Sequence, residues 1–167
     1  QNGMLFFNGL SGIQGRTAVR KATIDAKVER AIEDVNHGEQ WVVWCGLNDE
    51  GRKLAARVPD SILVEGADSL DHKIDALTGF VEGRYRVLVT KPSIAGFGLY
   101  MQNCHNVMFV GLSDSYESYY QAIRRCWRFG QESEVRVIPV LTDLEREIWE
   151  NLQRKEATHN ETVNGLL

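Results

Sequence analysis

The sequence predicts a three-layer α/β domain on a mostly parallel sheet, and three observations carry that expectation. Short apolar runs such as WVVWC at 41–45, RVLVT at 86–90 and NVMFV at 106–110 lack the polar alternation of a half-exposed strand. Stretches with helical periodicity separate them, so strand and helix alternate along the chain. Glycine, proline and aspartate punctuate the junctions.

Residues 1–19 hold scattered glycines and asparagines among short apolar pieces, which reads as a connector entering the domain. Ile24, Val28, Ala31, Ile32 and Val35 then recur at helical spacing, with Gly38 as a stop signal. After the strand at 41–45, the stretch from Asn48 to Arg57 reads as a helix broken by Pro59 and Asp60. SILVE at 61–65 is the second strand, Ser69 to Phe80 a helix, 86–90 the third strand and 106–110 the fourth. Asp114 with Glu117 forms a capping-box pattern ahead of the next helix, and Thr142 with Glu145 forms another after the last strand, VRVIPV at 135–140. Pro139 has no N–H for the sheet ladder, so that strand is expected to be an edge or to end there.

The chain has 167 residues and 43% hydrophobic content, which suits one domain with a buried core. No run is apolar enough for a membrane helix and no signal-peptide layout opens the chain, so a cytoplasmic location is expected. Cys45, Cys104 and Cys126 form no CxxC pair and the four histidines are scattered, which points to buried thiols and to no metal site in this chain. A net charge of −4 excludes a protein that coats nucleic acid by bulk electrostatics. Any such contact must be local, through clusters such as Arg124, Arg125 and Arg128.

The segment SDSYESYYQAIRRCWRFGQ concentrates the chemistry. At about 100° per residue, Gln121, Arg125 and Arg128 lie within roughly 60° of one another, with Tyr119, Tyr120, Ile123 and Trp127 opposite. Taken alone, that is an ordinary solvated basic face. The string QAIRRCWRFGQ, however, resembles motif VI of superfamily 2 helicases, QxxxRxxR, and its Arg-Phe-Gly-Gln tail is similar to the Swi/Snf version, QAxGRAHRIGQ. Arg124 stands where that version has glycine, and Trp127 where it has histidine.

The resemblance spans about residues 20–155 and implies the C-terminal lobe of an ATP-dependent DNA helicase or translocase. It narrows the fold to a three-layer αβα RecA-like domain of the P-loop NTPase type. Arg125 and Arg128 would be arginine fingers, with Gln121 as their orienting partner. Phosphoryl transfer to water is catalysed by positioning and by stabilising charge on the γ-phosphate, which a planar, permanently charged fork does well.

Upstream, VLVTKPSIAGFGLYMQNCHNVMFVG has the outline of motif V. By resemblance Thr90, Lys91 and Pro92 face the nucleic-acid backbone, while Gly96, Phe97 and Gly98 lie at the ATP cleft. The interval from Thr90 to the Gly-x-Gly is longer than in Swi/Snf proteins and nearer the DEAD-box spacing. WVVWCGLNDEGRKLA fits motif IV, in which Gly46, Leu47 and Asn48 would offer backbone and amide donors to phosphate.

No Walker A loop is present: Gly15, Arg16 and Thr17 copy only its end, and Asp49 and Glu50 stand too far from a strand to be a DExx box. ATP and Mg²⁺ are therefore expected to be held mainly by an N-terminal ATPase lobe elsewhere in the same protein, leaving this lobe inactive alone. The expected organisation is a connector over 1–19, the lobe over 20–158 and a polar tail over 159–167. Two rivals remain at this point. One is a non-catalytic nucleic-acid or protein binding module with the lobe's shape; the other is a nucleotide-binding α/β enzyme.

Overall fold

The computed structural model describes residues 15, 21–35, 38–97, 100–112 and 115–166. The expected connector thus lies, except for Gly15, outside the described residues. Helix α1 (Ile24–Val35) leads into β1 (Trp41–Cys45), followed by α2 (Asn48–Ala55), β2 (Ser61–Leu63), α3 (Leu70–Val81) and β3 (Val87–Thr90). A 3-10 segment, Pro92–Phe97, precedes β4 (Asn106–Val110), α4 (Tyr116–Arg124), β5 (Arg136–Val140) and α5 (Asp143–Asn164).

The five strands pair entirely in parallel in the order β2-β3-β1-β4-β5. Every residue of β1, β3 and β4 is buried, which explains their unbroken apolar runs. β5 is an edge, as Pro139 requires, and pairs only with β4. On one face Ile24, Val28 and Val35 of α1 and Leu54 of α2 pack on Val43, Val89 and Met108. On the other, Phe80 of α3, Ala122 of α4 and Leu152 of α5 pack on Val42, Leu88 and Val107.

Three local expectations change. Ser115 caps α4, its Oγ accepting the Ser118 N–H at 3.2 Å; Asp114 lies outside the described residues. Thr142 precedes α5 but makes no side-chain cap bond; the Glu145 N–H donates to the Thr142 carbonyl at 3.0 Å, and the Glu145 side chain is turned inward to Lys27 at 2.9 Å. Finally, α5 runs without a break through 159–164, and His159 meets Tyr120 edge-on with ring centres 5.2 Å apart.

Candidate functional site

β1 and β4 are neighbours, yet β1 is followed by a helix on one face and β4 by a helix on the other. Ligands of open α/β sheets bind at such a switch point, beyond the carboxyl ends of the strands. A cleft of about 180 Å³ opens there, lined by Gly46 after β1, Lys91, Pro92 and Ser93 after β3, Gly111 after β4, and Ser118 of α4. The structure thereby joins the segments resembling motifs IV and V to the start of the motif VI helix.

Beneath this rim lies a charged network that the sequence did not announce. Lys27, only 3% exposed, donates to Glu50 Oε1 at 2.6 Å and to Glu145 Oε1 at 2.9 Å. The second oxygen of Glu50 accepts the N–H groups of Gly46 and Leu47, both at 2.9 Å. The first turns of α1, α2 and α5 all begin at this end of the sheet, which is why three distant residues meet. Gly111 closes the network from above: its φ is +75°, and a Cβ there would stand 2.9 Å from Glu50 Oε1. Glu50 is thus a structural carboxylate.

The expected donor set shrinks accordingly. The Gly46 and Leu47 amides are committed to Glu50, and the Gly46 N–H also meets the Val110 carbonyl at 3.1 Å. Thr90 is 3% exposed, and its hydroxyl donates to the Val64 carbonyl at 2.9 Å, so it holds β3 to the chain beyond β2 and does not face the cleft. Asn48 is exposed at the start of α2, and Lys91 and Pro92 are half-buried at the cleft wall.

Gln121, Arg125 and Arg128 are not in this cleft. Gln121 is exposed on α4, but the helix stops at Arg124, and the two arginines occupy the turns that follow. One consequence corrects the helical projection: Trp127, expected on the core side, is 58% exposed. Arg125 is half-buried; its Nε is buried without a hydrogen-bond partner, and burial, then the charge of Arg128, pulls its pKa down. Arg128 lies over the Tyr100 ring, its Cζ 3.3 Å from the ring centre. Among the described residues neither arginine has an ion-pair partner.

Two ties fix this second station to the segment after β3. The Met101 N–H donates to the Arg125 carbonyl at 2.7 Å. Gln131 Nε2 donates to the carbonyls of Cys104 and Cys126 at 2.9 and 3.2 Å. Gly96 and Phe97 belong to the 3-10 segment, which packs against α4; Gly98 lies outside the described residues. Sequence reasoning passed over Tyr100 and Lys27, and gave Gln131, the end of the Arg-Phe-Gly-Gln tail, no role of its own. The buried network could have been suspected from Lys27 alone, which falls one residue before Val28 on an otherwise apolar helix face.

An all-parallel five-stranded sheet, covered on both faces and cleft at its switch point, is a RecA-like αβα lobe of the helicase C-terminal type. The family model described as the helicase conserved C-terminal domain matches residues 24–130, and the chain belongs to that family. Among solved structures, it is similar to a DEAD box protein from the hyperthermophile Methanococcus jannaschii, with TM-score 0.68 and 18% identity over 78% of this chain and 37% of that one. It is also similar to the C-terminal part of the Fun30 ATPase domain, with TM-score 0.59 and 18% identity over 80% of this chain and 43% of that one. The chain thus spans less than half the length of either. No curated protein matches it.

Proposed function

We propose that this lobe is the C-terminal half of an ATP-dependent superfamily 2 motor acting on DNA, and that Arg125 and Arg128 are its arginine fingers. The observation that carries the reading is the state of Arg125, a half-buried guanidinium whose Nε has no partner and whose neighbour is a second arginine. Leaving a buried donor unsatisfied is costly, and an anion arriving at this surface relieves it. A triphosphate held by an N-terminal lobe fits that requirement, with Mg²⁺ assigned to the same lobe. Bound ATP supplies the phosphoanhydride whose cleavage drives the cycle. In this chain Arg125 and Arg128 would stabilise the charge that develops on the γ-phosphate, with Gln121 of α4 as their orienting partner and Gly96, Phe97 and Gly98 assigned to the ATP cleft.

Nucleic acid belongs in the switch-point cleft, where Lys91 supplies a cation and Pro92, Ser93 and Ser118 complete a wall for the backbone. The Arg-Phe-Gly-Gln tail of the motif VI string supports DNA over RNA, because it is the Swi/Snf-like part. In the full-length protein, Arg125→Ala and Arg128→Ala are each expected to lower DNA-stimulated ATP hydrolysis about 10³-fold or more, with circular dichroism unchanged. Wild-type turnover in both variants would overturn the assignment. Calorimetry of the isolated lobe with ATP and with NAD is expected to show no tight binding, and tight binding of NAD would favour a dinucleotide enzyme.

A further inference from the structure

We propose that Tyr100 is a positioning residue for Arg128, holding its guanidinium by the face so that the N–H fork stays available to an incoming phosphate; this rests on the arginine-finger reading above. Arg128 lies beyond the end of α4, on a turn that closes at Gly130 with φ +93°. A long side chain on a turn needs something to fix it, and a carboxylate would do so by consuming the donors that catalysis requires. An aromatic ring does not. The cation–π attraction acts through the guanidinium face, whereas the five N–H bonds lie in the guanidinium plane. The Cζ of Arg128 sits 3.3 Å from the Tyr100 ring centre, which is face contact.

The neighbouring Arg124 shows the contrast. Its NH1 donates to the Tyr120 hydroxyl at 2.9 Å, with Cζ 5.5 Å from the ring, so part of its fork is already engaged. Tyr100, by comparison, stands beside a segment held to the Arg128 turn by two ties. The Met101 N–H is bonded to the Arg125 carbonyl, and Gln131 bridges the carbonyls of Cys104 and Cys126. Ring and guanidinium therefore sit on two segments that are tied together at Met101 and again at Cys104. Tyr100 is 46% exposed, so trimming it empties no core.

The test uses the full-length ATPase with saturating DNA. Tyr100→Leu and Tyr100→Gln are expected to lower kcat about tenfold, with KM for ATP changed less than about twofold, and Tyr100→Phe to restore wild-type kcat. In an Arg128→Ala background, Tyr100→Leu is expected to add no further loss, since its effect passes through Arg128. Full activity in both Tyr100→Leu and Tyr100→Gln beside an inactive Arg128→Ala would overturn this inference alone, as would independent, multiplying losses in the double variant. Wild-type turnover in Arg128→Ala would instead overturn the finger reading and this inference with it.

Discussion

Replacing Lys27 with methionine tests whether the buried network holds the rim of the cleft. The Lys27 ammonium lies 2.6 Å from one Glu50 oxygen and 2.9 Å from one Glu145 oxygen, with the three residues 3%, 0% and 2% exposed. At an effective dielectric of about 20, each attraction is worth roughly 6 kcal/mol before desolvation. Desolvation costs several kcal/mol per ion, so the intact network contributes little net stability. Removing the Lys27 ammonium is another matter, because two carboxylates then face each other in the interior. The expected loss is about 3–5 kcal/mol. With a urea m-value of about 2 kcal/mol/M, the denaturation midpoint falls by about 1.5–2.5 M. The double variant Lys27→Met, Glu145→Leu is expected to recover part of that loss, since it removes one of the two buried carboxylates while Glu50 keeps its bonds to Gly46 and Leu47. A midpoint shift under about 0.5 M for Lys27→Met, or strict additivity in the double variant, would refute the reasoning.

Gly111→Ala forces a Cβ to within 2.9 Å of Glu50 at a φ of +75°, and urea titration is expected to show a loss of at least about 2 kcal/mol. Burial pushes the Tyr119 hydroxyl up to about 12, with the Glu156 charge adding to it. Because the folded pKa lies above the unfolded value, that contribution to stability is complete below about pH 10 and is lost as pH rises toward 12. The thermal midpoint should therefore decline less steeply across that window in Tyr119→Phe than in the wild type. The Cys45 thiol is fully enclosed and its pKa is raised by burial and then by Glu50, so iodoacetamide at neutral pH should label it only on unfolding; labelling of the native protein would contradict that placement.

Much of this architecture was legible because fully buried parallel strands have no polar alternation to confuse them, as Val42, Val43, Leu88 and Val107 illustrate. The string QAIRRCWRFGQ stood out for a different reason: its resemblance to motif VI lies in the spacing of Gln121, Arg125 and Arg128, which the sequence displays directly. What the sequence hid depends on contacts between distant segments. Glu50 looked like a stray acid, and its role exists only because Lys27 and Glu145, remote in sequence, begin helices at the same end of the sheet. Thr90 falls at a motif position, but its hydroxyl is satisfied by a carbonyl from another strand's end. The helical projection misplaced Trp127 because it continued the helix past Arg124, where the chain turns.

α4 connects the two stations, since Ser118 in its first turn lines the cleft and Arg125 follows its last turn. The step of seven residues from Ser118 to Arg125 spans about 10 Å, with Ala122 buried midway against the core. Under the proposed function, a strand in the cleft and a phosphate at the arginines would therefore act on one packed helix. Ser115→Ala separates the two ends, because it removes the bond from the Ser118 N–H to the Ser115 hydroxyl and loosens only the first turn. The stability cost is expected to be about 1 kcal/mol. DNA affinity measured by fluorescence anisotropy should weaken several-fold, while kcat at saturating DNA stays near wild type because the Arg125 end remains pinned through Met101. A lowered kcat with unchanged DNA affinity would mean that the cap serves the arginine station, and that the cleft is not where the strand binds.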